Sequence, residues 1–487
     1  MRWFGFSLEA NTELREDPGG GGLFSRTPLR ILRVNRPLYR LLEYIRGGGE
    51  IEAYQSHNGQ TEKWRWLPVL LSLASRGYLR LERIAEIEDY PPVSVVIPVR
   101  DRAADLRDCL RALEQLDYPS DRLEIIVVDD GSKREIPADI KAECVRVIRQ
   151  AEPRGPAAGR NLGAASASGE ILAFLDADCM ARTEWLRELV PFFGAPTVGA
   201  VGGFVDGYYR GGFLDRYEAV FSSLNMGRRV LIGGDSAATL YVPTANMLVR
   251  REVFQETGGF REGLRVGEDV DFCWRMRGRG HTLLYVPHGK VAHRHRHQLG
   301  QMLKRRAQYG TSEAGLYATH RDKRKRFIVS VPAGISFLAL AAAVLAMNPY
   351  PLCAVPLALG LDMWRKAAAL EKYNTGVPLR GLAAAALRSQ ASFSYFALFH
   401  LVRYYLLPLL ALGFALHSLW LFSGLAALYT SIVDYYVKRP KLNFPAFLFF
   451  YIAEHAAYQL GAFWGCLKLG SFRAYLPSLR AAPQNEK

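Results

Sequence analysis

The pair Asp176 and Asp178, separated by Ala177, closes the apolar run "ILAFL" and is the most chemically informative element in the chain. Hard carboxylate oxygens hold a magnesium- or manganese-type ion, and such an ion neutralises the charge of a departing diphosphate. Alternate positions on an extended segment point opposite ways, so the two aspartates are expected to divide the work. Asp178 is assigned to the metal and Asp176 to a ribose. A lone Asp-x-Asp is also a common surface feature, and the weight of this one comes from its company. Upstream, "VSVVIPVRDR" and "LEIIVVDDGS" each end an apolar strand in polar residues. Backbone groups near Pro98 and the carboxylate of Asp130 are therefore expected to hold a nucleobase and its ribose. In "RGPAAGRNLGAASASGE", Arg160 and Asn161 open a small-residue helix whose N-terminal half suits close approach to phosphate, and Arg160 is assigned to that ligand. Gly163 and Ala164 fit tight helix packing equally well.

Further on, "GLRVGEDVDFCWRMRGRG" places Glu268, Asp269 and Asp271 close together. A hydroxyl that attacks an electrophilic carbon needs a carboxylate to take its proton, and Asp269 is the expected base. Clustered acids at a helix start also complement its dipole, which accounts for Asp271. His293, His295 and His297 alternate, so on a strand they would share one face. A metal site, a single ligand completing the aspartate-bound ion, and plain polar edge residues all fit that pattern. The six cysteines form no Cys-x-x-Cys pair, so neither a zinc site nor a disulfide framework is expected.

The elements that must position these residues read as strand, helix, strand: "VSVVIPV", "DLRDCLRALEQL", "LEIIVVDD", "CVRVIRQ" and "EILAFLDAD". Continuous apolar strands alternating with helices predict an α/β domain with a largely parallel sheet covered on both faces, whose ligands bind at the carboxyl ends of the strands. Tyr90-Pro91-Pro92 marks a linker, since proline continues neither helix nor ladder. Residues 1–89 are expected to form a small α+β domain, 90–326 the α/β domain, and 327–487 a hydrophobic helical region. Apolar stretches over 327–347, 404–433 and 444–467 are long enough to span a bilayer, the second as one tilted span or a re-entrant pair and the last weakened by Glu454 and His455 at its middle. The basic run "RDKRKR" before the first places the α/β domain on the cytoplasmic side of a multi-pass membrane protein. No signal peptide is expected, because the first thirty residues contain no apolar core. The net charge of +15 calls for an anionic partner. Its arginines are spread along the chain with one cluster against the first apolar stretch, which fits anionic lipid rather than nucleic acid.

The order "VVDDGS", "GRNLGA", "FLDAD" and "GEDVDFCWR" resembles the family-two glycosyltransferases of the GT-A fold, over roughly half the chain. That resemblance implies a nucleotide-sugar donor and inversion at the anomeric carbon. It implies that Asp130 binds the donor base, Asp176 and Asp178 the ribose and the metal-diphosphate, and Asp269 acts as base. Processive members carry Gln-x-x-Arg-Trp, whereas here "QLGQMLKRRAQYG" has no tryptophan after its arginines. Arg305 and Arg306 are still expected to meet pyrophosphate, but long-chain synthesis is not expected. The layout, with "LFSRTPLRILRVN" near the N-terminus, "PTANMLVRR" in the middle and a hydrophobic last third, resembles the mycofactocin-system glycosyltransferases of bacteria. In them the N-terminal piece is similar to small winged-helix-like peptide-recognition domains. The implied reaction adds glucose, from UDP-glucose, to a small peptide-derived redox cofactor. The alternatives are a membrane enzyme building surface polysaccharide or lipid-linked glycan, and a non-catalytic peptide-binding scaffold.

Overall fold

The computed structural model describes all residues except 1–3, 18–19, 27, 50, 52–53, 55–65, 138–144, 234–238, 372–375 and 482–487. The chain divides into two compact units. One comprises Met1–Ser25, Arg30–Gly211 and Glu218–His295; the other comprises Arg26–Leu29, Gly212–Tyr217 and Arg296–Lys487.

In the first unit, β1 (Gly5–Leu8) pairs antiparallel with β5 (Leu79–Arg83), while β2 (Thr12–Asp17), β3 (Gly20–Arg26) and β4 (Leu29–Asn35) form a separate three-stranded sheet. Helices α1 (Arg36–Arg46) and α2 (Leu67–Ser75) bury Leu41, Leu42, Leu70 and Leu71. Asn35 starts α1 by accepting the Leu38 N–H at 3.1 Å, a donor that the helix itself leaves unpaired.

An eight-stranded sheet follows, in the order β13-β15-β11-β14-β9-β6-β7-β8. Strands β6 (Val93–Val99), β7 (Leu123–Asp129), β8 (Val145–Arg149) and β9 (Ile171–Phe174) are parallel, as their continuous apolar runs predict. Beyond β9 the sheet becomes mixed. There β14 (Met247–Arg250) runs antiparallel to β9 and to β11 (Val198–Gly202), which is parallel to β15 (Thr282–Tyr285); β13 (Leu231–Ile232) closes that edge. The alternation along each strand divides the core. Val95, Ile97, Ile125 and Val127 pack on one face, and Val96, Ile126, Val128 and Phe174 on the other. Helices α3 (Ala103–Leu113), α4 (Pro156–Ala165) and α5 (Glu268–Gly278) follow strands or loops at the polar ends. A smaller sheet of β10 (Cys179–Ala181), β16 (Val291–His293) and β12 (Val205–Gly207) pairs Cys179 with His293.

The second unit is helical: α6 (Leu299–Thr319), α7 (Val331–Leu345), α8 (Ala354–Glu371), α9 (Leu379–Leu412), α10 (Ser418–Lys438) and α11 (Phe444–Leu469). Helices α6 and α11 pack so closely that a Cβ added at Gly310 would meet the Tyr458 carbonyl oxygen, and one added at Gly461 the Ala307 carbonyl oxygen. The expected span over 327–347 is corrected here. Residues Arg326–Val329 form β17, paired in parallel with β18 (Ser478–Ala481), and only 15 residues of helix follow. The stretch over 404–433, expected as one tilted span or a re-entrant pair, divides into the end of α9 and most of α10, so it is not one continuous span. Among the described residues α9 is the one helix long and apolar enough to cross a membrane.

Candidate active site

The polar ends of β6, β7 and β9 converge with the start of α5. Asp130 follows β7 and is buried; its Oδ1 accepts the Arg154 N–H at 2.6 Å and its Oδ2 the Gly155 N–H at 2.9 Å. The carboxylate thus holds the loop that leads into α4. Gly131 makes the preceding turn possible, with φ +63° and a Cβ position only 2.9 Å from the Pro153 nitrogen. Asp101, just beyond β6, adopts φ +55°, sparsely populated for a residue with a Cβ. Its Oδ1 accepts the Lys133 N–H at 2.8 Å and its own N–H donates to Ser132 Oγ at 2.9 Å, so the two strand-end loops are stitched together. Pro98 lies on β6 opposite Val128 and against Gly159 of α4.

Arg160 is buried on α4 and links two acids: its Nη2 donates to Asp176 Oδ1 at 2.6 Å and its Nη1 to Glu268 Oε1 at 2.8 Å. Its charge serves to hold those carboxylates in place. Asp269 stands beside Glu268 in the first turn of α5, which Gly267 enters at φ +85°. Burial and the neighbouring Glu268 charge raise the Asp269 carboxyl to about 7, against the pull of the Val270 N–H and of Arg160. A carboxyl poised near neutrality suits proton removal from a hydroxyl. Asp271 differs: Arg261 and Arg275 donate to its two oxygens at 2.9 and 2.8 Å. That carboxylate is fully occupied.

Asp178 Oδ1 lies 3.5 Å from His293 Nε2, and Arg102 donates to Oδ2. The carbonyl of Asp178 accepts the Arg294 N–H at 2.9 Å, while the Arg294 guanidinium donates to Asp105 at 2.8 Å and Asp108 at 2.6 Å on α3. The thiols of Cys109 and Cys179, buried near Asp176 and Asp178, are pushed far up by burial and by those charges, so neither is a thiolate nucleophile.

The structure therefore brings Asp176, Asp178, Arg160 and Asp269 to one edge, with Pro98 and Asp130 on the adjoining strand-end loops. Arg305 lies in the second unit on α6, where its guanidinium donates to Gln308 at 3.3 Å and stacks over Tyr309. Arg306 is buried and paired with Glu454 at 3.3 Å. The three histidines do not share a strand face, because β16 ends at His293. Of the alternatives that the sequence left open for the histidines, His293 beside Asp178 is the arrangement of a single ligand next to the aspartate, whereas Arg102 and Arg294 were not singled out. The approach of His293 to Asp178 depends on the β10–β16 pairing, which no local pattern signals.

Residues 94–258 match the glycosyl transferase family 2 model. The chain is 33% identical over 330 residues to the pre-mycofactocin glycosyltransferase of Mycobacterium tuberculosis, covering 67% of this chain and 66%, just under two thirds, of that protein. It is 31% identical over 243 residues to the glycosyltransferase AglE of Haloferax volcanii, covering 48% of this chain and 77% of that protein. The chain belongs to glycosyltransferase family 2. The mixed sheet of this glycosyltransferase is the GT-A core, and the matched stretch carries Pro98, Asp130, Arg160, Asp176 and Asp178 but ends before Asp269. A mannosyltransferase from Pyrobaculum calidifontis, solved with GDP-Man and Mn2+, covers 70% of this chain and 97% of its own at 21% identity and TM-score 0.39, a likeness too loose to transfer any feature.

Proposed function

We propose that this glycosyltransferase transfers glucose from UDP-glucose to a peptide-derived redox cofactor, a mycofactocin precursor, with inversion and in one or a few successive additions. The observation that carries the reaction is the acid edge, in which Asp269 is held near neutrality beside Asp176, Asp178 and Glu268. The acceptor hydroxyl forms the new C–O bond at the anomeric carbon as the bond to the diphosphate oxygen breaks and its electron pair leaves with the diphosphate; Asp269 takes the hydroxyl proton. Asp176 orients the donor ribose, itself held by Arg160. Asp130 and the backbone at Pro98 shape the base pocket. Asp178 and His293 would hold a divalent metal, Mg or Mn, which when bound supplies positive charge against the leaving diphosphate. The Asp178 carboxylate is the hard oxygen donor that Mg and Mn take, and His293 Nε2, 3.5 Å from it, stands at the same edge. Among the described residues no third metal-ligating side chain joins them.

The acceptor reading rests on the likeness to the M. tuberculosis protein, and residues 1–89 are read as the winged-helix-like peptide-recognition domain that goes with it. Residues 90–326 are read as the catalytic domain and 327–487 as the membrane region. Among the described residues, the exposed large apolar side chains other than Val69, Tyr208 and Phe213 all fall from Val331 onward. That distribution supports attachment to a membrane. The reading of a multi-pass protein on anionic lipid, with the catalytic domain on the cytoplasmic side, rests on the basic run over 321–326 and the apolar composition that follows it. It also favours a second reading, in which the acceptor is a lipid-linked glycan.

The test is to purify the chain in detergent, supply UDP-glucose or GDP-mannose with the peptide-derived precursor or with a lipid acceptor, and weigh the products. A gain of one or a few hexoses on the precursor, from UDP-glucose and not from GDP-mannose, is expected. Hexose transfer only to the lipid acceptor overturns the first reading in favour of the second.

A further inference from the structure

Asp176, Asp178, Glu268 and Asp269 crowd one edge, and Arg160 and Arg102, which donate to three of them, differ. Arg160 is 3% exposed, with one carboxylate on each arm. Arg102 stands at the rim: its side chain is 46% exposed, it precedes α3, and among the described residues its other ion pair is with Asp105, at 3.8 Å. We propose that Arg102 is an exchangeable counter-ion, which neutralises Asp178 while the site holds no metal and yields that carboxylate to a divalent cation. This rests on the reading of Asp178 and His293 as metal ligands.

Two cations on one carboxylate repel each other at contact distance, so the Arg102–Asp178 pair and a metal on Asp178 exclude one another. A long, half-exposed side chain can leave at little cost, whereas a buried guanidinium between two acids cannot. The metal-free protein thus avoids an unpaired carboxylate at this edge, at the expense of some metal affinity. Removing Arg102 relieves the competition, and a competing state that must first be displaced weakens apparent binding by the fraction it occupies. An exposed pair of this kind corresponds to a gain of about three- to fivefold in metal affinity when it is removed.

The experiment titrates Mn2+ into the full chain in detergent with no nucleotide sugar, counting free ion by electron paramagnetic resonance and recording the melting temperature. Arg102→Met keeps the aliphatic stem and removes the charge. It is expected to bind Mn2+ about three- to fivefold more tightly than the unchanged chain, and to melt lower without the metal but not with it. Arg102→Lys is expected to fall between the two, and Arg102→Gln serves if the methionine variant fails to fold. Unchanged or weaker binding by the charge-removing variant, with binding lost in Asp178→Asn, overturns the counter-ion role alone. Equal binding by Asp178→Asn and the unchanged chain overturns the metal assignment itself, and this inference with it.

Discussion

Acid clusters occur in both units, and they are compensated differently. In the helical unit, Glu454 receives Arg306 at 3.3 Å, Arg403 at 3.4 Å and the Tyr217 hydroxyl at 3.0 Å. Glu313 receives Lys325 at 2.6 Å and the hydroxyls of Tyr404 and Tyr458. Every one of those acids is matched by a cation and by hydroxyl donors, as burial demands. At the strand ends of the first unit, Arg160 donates to Asp176 and Glu268, while Asp178 is met by the rim residue Arg102 and by His293 at 3.5 Å. Asp269 is left with a carboxyl pushed up to about 7. Acids paired deep in the helical unit bind helices together; Asp269 with its raised carboxyl and Asp178 with its exposed partner hold charge in readiness for a proton and a ligand.

The sharpest way to break that contrast is to remove a compensated acid. Glu454→Gln leaves Arg306 and Arg403 facing a neutral amide inside the helical unit, and the expected loss is about 3–5 kcal/mol of stability. Denaturation in detergent measures it. A loss below 1 kcal/mol would mean that the buried charges do not hold the helices. Next in size is Asp178→Asn, for which turnover is expected to fall about a thousandfold while the melting temperature in the absence of metal falls no further than in Arg102→Met, since both break the same exposed pair. Full activity, or activity indifferent to EDTA, would sink the metal assignment.

Much of the first unit was legible because its signals are local. Uninterrupted runs such as Val93–Val99 and Leu123–Asp129 announce buried parallel strands, and their polar ends announce where Asp130, Asp176 and Asp178 gather. What was not legible depends on pairing between distant segments. Arg160 reads as a phosphate-facing residue at the start of a small-residue helix, yet it is buried between Asp176 and Glu268, partners that only the fold brings to it. His293 reaches Asp178 because Cys179 registers against it across two short strands. The apolar stretch over 327–347 contains β17, whose partner is the distant β18, so an apolar run there contains more than a spanning helix. In 404–433 the helix stops near Gly413 and restarts at Ser418 within continuous apolar composition.

Asp269→Asn probes the other side of the contrast, with an expected fall in transfer of about a hundredfold while donor binding by calorimetry survives. Its pH behaviour gives a second measure. The base acts only when deprotonated, so kcat/KM of the unchanged chain is expected to rise as pH passes through about 7. For stability the sign is opposite. A carboxyl whose folded value is raised favours the folded state at low pH, and that contribution is lost as pH rises from the ordinary aspartate range through about 7. Asp269→Asn is therefore expected to melt higher than the unchanged chain at pH 8 and to lose that advantage at pH 4. An unchanged profile of both activity and melting would place the proton elsewhere, with Glu268 the next base to test.

The smallest expected effect concerns Asp271, two residues further along the same helix and fully neutralised. Its carboxylate keeps Arg275, whose side chain is 13% exposed, when Arg261, at 47% exposed, is removed. An exposed partner of an ion pair contributes little, because water screens it and ordering it costs side-chain entropy. Arg261→Ala is therefore expected to cost less than about 1 kcal/mol in denaturation and to leave kcat, KM and the pH profile unaltered. Arg275→Ala should cost more, since its guanidinium also donates to the carbonyls of Thr257 at 2.5 Å and Gly259 at 2.6 Å. If Arg261→Ala instead lowered kcat tenfold with no change in melting temperature, the charge on Asp271 would be coupled to Asp269. Compensation would then fail to separate scaffold from site even within one helical turn.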